Sequence, residues 1–296
     1  MPRLHRRAAR PSRSFAALLA VAALATAFTL PGRPADAVAT DTPVDTWVTN
    51  GDVHAVLNAG GRTYLGGTFD QVGPNTGFGV PLDQATGAAA ATIAKVNGQV
   101  YTAVPDGADG WYIGGKFTRV GSKSVHYAAR IKSDGSVAGW NPNPDLPVHS
   151  IVVDNPNKRI YIGGEFTTIR TDTKLPDGTY DTVAAGGLAA TKKSDGSFDA
   201  ASPLPAINTN PLPDGPRFSV NALALSGSEL YVGGTFTAFG GVARAGLAMV
   251  DLAATPALNA AWNPQPDGAV TALMDTGGRL LVGGVINHMG GAVRTG

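Results

Sequence analysis

The sequence of 296 residues contains no cysteine. This absence excludes disulfide bonds, thiolate nucleophiles, zinc–thiolate sites and iron–sulfur ligation. Charged residues are scarce, at 15% of the chain against a usual ~25%. The chain is instead rich in glycine, with 39 residues, and 43% of its residues are hydrophobic. Such a composition predicts a turn-dense globular fold that is neither disordered nor built from long helices.

The N-terminus has a basic start followed by an uncharged run. Residues 1–14 contain five arginines and no acid, and Phe15 to Leu30 is a run of 16 uncharged residues. Because a membrane-spanning helix needs ~20 residues, the pattern predicts a secretory signal peptide over residues 1–37, with Ala35-Asp36-Ala37 as the cleavage site. The Arg6-Arg7 pair leaves twin-arginine export open, although its flanks favour an ordinary Sec signal.

Cleavage would change the charge of the protein. Residues 1–37 carry six arginines and one aspartate, so their removal takes the formal net charge from +1 to −4. The remaining chain offers no basic stripe for a phosphate backbone, which argues against a nucleic-acid partner. We therefore expect a secreted or cell-surface monomer without a membrane span after cleavage.

One pattern recurs five times, a glycine pair inside an apolar run: TYLGGTF, WYIGGKF, IYIGGEF, LYVGGTF and LLVGGVI. The first glycines of the pairs, which define repeat units 1 to 5, are Gly66, Gly114, Gly163, Gly233 and Gly283. They are spaced by 48, 49, 70 and 50 residues, so a unit of about fifty residues repeats, with an insertion in unit 3.

Each unit predicts four short strands. A strand that begins with valine precedes the glycine-pair strand, and a third apolar strand follows. A KSDGS turn at Lys132 and Lys193 then predicts a hairpin with positive φ at both the aspartate and the glycine. The tryptophans Trp47, Trp140 and Trp262 stand where units end, and we expect them to be packing anchors.

Four strands per fifty residues are typical of a β-propeller blade. The predicted fold is therefore all-β, a propeller of four-stranded blades over residues 38–296, with about five blades of which the last is incomplete. The missing third strand of unit 5 would leave an unpaired apolar edge. We accordingly expect a longer propeller that is truncated at the C-terminus, with a five-unit ring and a terminal capping blade as the alternative.

The YxGGxF-T-x-x-G pattern and the WNPNPD and WNPQPD ends resemble the delta-60 repeat, a family of secreted bacterial β-propellers of unknown function. They are also similar to the propeller of the fungal cortical marker protein. The resemblance covers about Asp45 to Gly296 and implies an extracellular module without a catalytic signature. The alanine-, glycine- and proline-rich composition suggests an actinobacterial source.

The candidate ligand-binding residues follow the first valine of each upstream strand: His54, Tyr101, His149, Asn221 and Thr271. If these strands line a central channel, the five side chains form a polar ring at one mouth, suited to a sugar or another small polar ligand. The alternative is that they are polar only because water fills the channel. A metal site from the two histidines is not expected, because they are two units apart.

Most aspartates stand beside glycine, proline or asparagine, where they shape turns; Asp52, Asp145 and Asp267 are expected to organise loops. The insertion in unit 3, from about Thr171 to Ala185, is expected to be a turn-rich surface loop. Its Asp172, Asp177 and Asp181 are a weak calcium candidate, because the alternate spacing of a calcium loop is missing. No other metal or cofactor is expected.

A second long loop is predicted from Ala201 to Arg217, with five prolines. We expect the interaction surface to include the face that carries this loop and the unit 3 insertion.

Two functions follow as hypotheses. The first is a non-catalytic binding module for an envelope polysaccharide or a partner protein. The alternative is an extracellular carbohydrate hydrolase or lyase with aspartate and histidine at the channel mouth. Glutamate, a common catalytic acid in glycoside hydrolases, occurs only as Glu165 and Glu229. Phosphate-loop, GxSxG and dinucleotide motifs are absent from the sequence.

Overall fold

The computed structural model describes residues 47–49, 52–59, 62–68, 72–74, 77–79, 82, 85–87, 93–108, 110–207, 218–253 and 255–293. The predicted signal peptide and residues 208–217 of the predicted proline-rich loop lie outside the described residues. Within them the chain forms strands and turns and no helix, which confirms the all-β class. It follows that no described helix could cross a membrane.

The strands follow the five repeat units. Unit 1 contains β1 (Trp47–Thr49), β2 (Val53–Ala59), β3 (Arg62–Gly67) and β4 (Val72–Pro74). Unit 2 contains β5 (Gln99–Pro105), β6 (Trp111–Lys116), β7 (Arg119–Val120), β8 (Lys123–Ser124) and β9 (Ala128–Ile131). Unit 3 contains β10 (Val148–Asp154), β11 (Arg159–Gly164), β12 (Thr168–Lys174), β13 (Tyr180–Ala184) and β14 (Leu188–Lys192). Unit 4 contains β15 (Val220–Ser226), β16 (Glu229–Gly234), β17 (Ala238–Phe239), β18 (Val242–Ala243), β19 (Leu247–Asp251) and β20 (Ala257–Leu258). Unit 5 contains β21 (Val270–Asp275), β22 (Leu280–Gly284), β23 (His288–Met289) and β24 (Ala292–Val293).

The main sheets have the predicted strand order. The valine strand pairs antiparallel with the glycine-pair strand, which pairs with the third strand, giving β5-β6-β9, β10-β11-β14 and β15-β16-β19-β20. Units 1 and 5 contribute the two-stranded sheets β2-β3 and β21-β22. Among the described residues, the fourth strand is a paired strand in unit 4, whereas units 2 and 3 have single bridges there, Ile131 to Val137 and Thr191 to Phe198.

The KSDGS turns form hairpins, but the prediction of positive φ at both central residues is wrong. Gly135 has φ 78° and Gly196 has φ 86°, whereas neither preceding aspartate has a positive φ. In the first turn the amides of Gly135 and Lys132 bond the carbonyls of Lys132 and Ser136. This is the three-residue loop in which one glycine takes the left-handed conformation.

The unit 3 insertion is a hairpin rather than the turn-rich loop predicted. Strand β12 pairs with β13 in antiparallel register. The turn between them is closed by the amide of Gly178 on the carbonyl of Leu175, with Gly178 at φ 89°. In units 2, 4 and 5 the strand pairs β7-β8, β17-β18 and β23-β24 form short hairpins at the same place. The insertion therefore lengthens an existing hairpin.

The sheets of units 2 to 5 pack face to face in chain order through the first glycine of units 2, 3 and 4. The valine strand β10 contacts the valine strands β5 and β15, and β15 contacts β21. A Cβ built on Gly114 would lie 2.7 Å from Val148 Cγ1, and one on Gly233 would lie 2.5 Å from Val270 Cγ1. Both valines are fully buried. The first glycine is therefore the space that a valine of the following unit fills, and Val220 fills the same space over Gly163.

Trp140 and Trp262 anchor the ends of units 2 and 4, as predicted. Trp140 is 1% exposed and packs edge-on against Tyr112, with the ring centroids 4.9 Å apart. Trp262 makes the equivalent contact with Tyr231 at 5.3 Å. For Trp47 the structure describes only the backbone, as part of β1.

The described sheets are separate, and none of them closes on itself. The fold that the structure establishes is thus an all-β array of antiparallel sheets in which successive units pack in chain order. The closed propeller remains a prediction.

Candidate functional site

Each of the five candidate residues is the extra residue of a β-bulge. The pairing between each valine strand and its glycine-pair strand skips one residue directly after the first valine. The skipped residues are His54, Tyr101, His149, Asn221 and Thr271. A bulge leaves this residue outside the ladder and re-aims its side chain, and bulges are frequent beside functional sites.

The second glycine of each pair makes the bulge possible. A Cβ built on Gly164 would overlap the carbonyl oxygen of Pro147, and one on Gly234 would overlap that of Ser219. The same overlap occurs in units 1, 2 and 5. The two glycines of the motif therefore have separate tasks. The first accepts the neighbouring unit, and the second lets the backbone of the bulged strand approach.

Tyr101 and His149 come together across the contact between units 2 and 3. Their rings are stacked with centroids 5.0 Å apart and planes 1° from parallel. The hydroxyl of Tyr101 donates to Gln99 Oε1 at 3.1 Å, and His149 Nε2 lies 3.1 Å from Glu165 Oε1. An ionised carboxylate only accepts hydrogen bonds, so Nε2 carries the proton when Glu165 is ionised. Tyr101 is 43% exposed.

Asn221 joins units 4 and 5. Its Nδ2 donates to the carbonyl of Val270 at 3.1 Å, and its Oδ1 accepts from Ser219 Oγ at 2.7 Å. Thr271, the residue after Val270, is exposed, and its hydroxyl donates to the carbonyl of Gly283 at 3.4 Å. Four of the five predicted residues thus follow one another along adjoining valine strands. We call Tyr101, His149, Asn221 and Thr271 the bulge row.

His54 is exposed, and the structure does not bring it to the bulge row. Among the described residues, its side chain makes no hydrogen bond or ring contact. His54 and His149, the two histidines considered above for a metal site, are therefore not in contact with each other among the described residues.

Glu165 was not among the candidate residues predicted from the sequence. The sequence carries no direct signal for its contact with His149, because that contact depends on the register of the sheet. Val148 pairs with Gly164 in the antiparallel ladder, so Glu165 lies opposite Pro147, whose carbonyl accepts its amide, two residues before His149. The corresponding residues in units 1, 2 and 4 are Thr68, Lys116 and Thr235.

The aspartates Asp145 and Asp267 organise loops, as predicted. Asp145 Oδ1 accepts the amides of Thr167 at 2.7 Å and Thr168 at 3.0 Å. Burial raises the pKa of Asp145, but the hydrogen bonds from Thr167 and Thr168 outweigh it and leave that pKa below its usual value. In unit 5, Asp267 Oδ1 accepts the amide of Asn287 at 2.8 Å. Asp52 acts through its backbone, since its carbonyl accepts the amide of Thr68.

The calcium candidates take part in local contacts of the β12-β13 hairpin. Asp172 forms an ion pair with Lys192 at 2.7 Å. Asp177 Oδ1 accepts the amide and the hydroxyl of Thr179, and Asp181 Oδ1 accepts the amide of Thr182. Within the described ranges, no three histidine, aspartate or glutamate side chains are grouped closely enough to hold a metal ion.

Together with Glu165, the bulge row combines an exposed aromatic side chain with several hydrogen-bonding groups and one carboxylate. Such a set can stack on an apolar ring face and exchange hydrogen bonds with hydroxyl groups. Glycoside hydrolysis generally needs two carboxyl groups ~5–10 Å apart. Among the described residues, Glu165 is the carboxylate in hydrogen-bond contact with the row.

Comparison of the chain with protein-family models, with curated proteins and with solved structures finds no match.

Proposed function

We propose that the chain is a secreted, non-catalytic binding module of the β-propeller type whose bulge row binds an envelope polysaccharide. The observation that carries the proposal is the stacked pair of Tyr101 and His149, placed on neighbouring units and flanked by Glu165 and Gln99. The propeller arrangement is supported by the face-to-face packing of successive sheets in chain order. Export rests on the predicted signal peptide.

The row favours an extended ligand over a compact one. Its members belong to separate units, so a ligand that contacts both Tyr101 and Asn221 must reach across unit 3. A linear polymer of hydroxyl-bearing rings fits this arrangement, because each unit offers one side chain to each successive part of the chain. A net charge of −4 after cleavage disfavours a strongly anionic polymer.

Co-sedimentation of the purified chain with insoluble peptidoglycan, chitin and cellulose tests the proposal. We expect saturable binding to one of these polymers and a roughly fivefold loss of affinity in Tyr101→Ala, because a stacking contact contributes about 1 kcal/mol. Tyr180→Ala is the matched variant, since Tyr180 is 42% exposed but lies on β13.

Two outcomes would contradict the proposal. The first is the absence of binding to all three polymers by a folded chain. The second is a loss of binding in Tyr180→Ala with full binding in Tyr101→Ala, which would place the ligand on the unit 3 hairpin instead.

A hydrolytic function is the second candidate, and the His149–Glu165 pair is the observation that favours it. A carboxylate that orients an imidazole is a common arrangement in acid–base catalysis. Release of reducing ends from the same polymers measures this activity. Activity in the wild type that is lost in Glu165→Gln would replace the binding proposal with a catalytic one.

A further inference from the structure

Each contact between successive units joins the first valine of one unit to the first glycine of the preceding unit. In unit 2 this valine has no such partner glycine. Val148 lies over Gly114 of the preceding unit, with Ile151 Cδ1 3.2 Å from a Cβ built on that glycine. The corresponding residues of unit 2, counted from the first valine of the strand, are Val100 and Ala103. They are therefore the residues that should lie over the glycine of unit 1, which is Gly66.

Val100 and Ala103 instead line an open apolar cavity of about 190 Å³. The cavity is bounded by Gly79, Ile93, Ala94, Val96, Val100, Ala103, Trp111, Ile113 and Ile131. All of these residues are apolar or glycine. An apolar cavity of this kind is stabilised by an apolar occupant.

The β2-β3 sheet of unit 1 presents the glycine side of this contact. A Cβ built on Gly66 would lie 3.7 Å from Ala55 Cβ and within 4 Å of no other described atom. Val100 therefore does not fill the space over this glycine. Leu57 is 61% exposed. It has the position in β2 that Val104 has in β5 and Val152 has in β10, and both of those side chains pack into the apolar contact with the following unit.

We propose that the β2-β3 sheet of this same chain docks on unit 2, with Val100 over Gly66 and Leu57 covering the cavity. The contact is the one already made between units 2 and 3, 3 and 4, and 4 and 5. Chain order selects this occupant. In each of those three pairs, the glycine belongs to the unit that precedes in the sequence, and unit 1 precedes unit 2.

Docking would add His54 to the bulge row. His54 follows Val53 as Tyr101 follows Val100, so the repeated contact brings the bulged residue of unit 1 next to that of unit 2. This consequence for ligand binding rests on the proposed function. The docking itself does not, because it is a contact within the protein.

Disulfide trapping in the full chain tests the docking, and the absence of native cysteine removes any background. The test variant is Gly66→Cys with Val100→Cys. Gly233→Cys with Val270→Cys is the positive control, since a Cβ at Gly233 lies 3.2 Å from Val270 Cβ, near the separation of about 3.5–4.5 Å in a disulfide. Gly283→Cys with Val100→Cys is the negative control. Each variant is treated with oxidised glutathione, without ligand, and analysed by non-reducing electrophoresis and mass spectrometry.

We expect the test variant and the positive control to lose both thiols in an intramolecular disulfide, while the negative control keeps them. Two results would overturn the proposal. Disulfide-linked dimers of the test variant would mean that a second copy occupies the cavity. Free thiols in a test variant whose positive control has reacted would mean that the sheet does not dock.

A second measurement leaves Gly66 unchanged. Docking predicts that Leu57→Asp lowers the Tm, whereas Leu175→Asp, at another exposed leucine, leaves it unchanged. Equal Tm values for both variants would contradict the docking. Failure of the docking also remains distinguishable from failure of the binding proposal, because the dependence of polymer binding on Tyr101 is measured separately.

Discussion

At the scale of single residues, the glycine pair is explained by two different close approaches. The first glycine leaves space for a side chain of the neighbouring unit, and the second leaves space for the backbone of its own sheet. Any Cβ at the second position would overlap a carbonyl oxygen, which cannot move without breaking the bulge. Glycine is required at the second position for this steric reason, since the second glycines have no positive φ.

Gly164→Ala tests this explanation. We expect it to lower the free energy of unfolding by about 3 kcal/mol, because the added methyl group overlaps the Pro147 carbonyl oxygen. Gly139→Ala is the control, since a Cβ there would meet no atom within 4 Å, and its effect should stay within about 0.5 kcal/mol. Urea unfolding followed by circular dichroism measures both. Equal effects of the two substitutions would contradict the steric role.

The stability of the folded state depends on pH in the acid range because of a loop carboxylate. Hydrogen bonds from the backbone and ring of His288 and from the amide of Asn287 lower the pKa of Asp267 from 3.8 to about 2. A carboxyl group whose pKa is lower in the folded state stabilises that state above the unfolded pKa. This contribution is lost as the pH falls through the folded pKa.

Asp267→Asn should therefore flatten the stability profile between about pH 4 and pH 2, the interval set by the two pKa values. His288→Ala should flatten it only in part, because the backbone hydrogen bonds to Asp267 remain. Thermal unfolding at a series of pH values measures the difference. An Asp267→Asn variant with the acid profile of the wild type would show that this carboxylate does not contribute.

At the scale of elements, strands were predictable and loops were less so. The apolar pattern around each glycine pair located the three strands of units 2 to 4, because buried strands leave a strong local signal. The unit 3 hairpin was missed because β12 mixes threonine with charged residues and β13 begins with tyrosine, aspartate and threonine. In sequence, such polar runs also fit a solvated loop. The fourth strand of units 2 and 3 shortens to one bridge, and the segment after Val137 carries glycine and prolines that cannot extend a ladder.

The tryptophan that ends unit 2 anchors its element through packing alone. Trp140 is almost fully buried against Tyr112, and its Nε1 has no hydrogen-bond partner in the part of the chain that the structure describes. The contribution of Trp140 should therefore follow the apolar volume of the side chain.

We expect Trp140→Ala to lower the free energy of unfolding by about 4 kcal/mol and Trp140→Phe to cost clearly less. Trp262→Ala should cost less than Trp140→Ala, because Trp262 is only half-buried in the equivalent contact. Equilibrium unfolding in urea provides the comparison. A Trp140→Phe variant as unstable as Trp140→Ala would point to a polar role for the indole.

At the scale of the whole molecule, the repeat places equivalent residues of successive units next to one another. This explains why four of the five equivalent polar positions predicted from the sequence lie in the bulge row, since one position per unit comes into line where the units pack in order. The contacts that join the row, such as Tyr101 with His149, were not predictable, because they depend on which side chains meet across two sheets.

The central claim is that the first valine of units 3, 4 and 5, seated over the first glycine of the preceding unit, holds the row in line. A double-mutant cycle on Gly233→Ala and Val270→Ala measures this contact most directly. Alone, Gly233→Ala should cost about 2–3 kcal/mol, because its methyl group would lie 2.5 Å from Val270 Cγ1. In the Val270→Ala background that Cγ1 is gone, so the account predicts that adding Gly233→Ala costs at least about 1 kcal/mol less. Strict additivity of the two substitutions would contradict the claim.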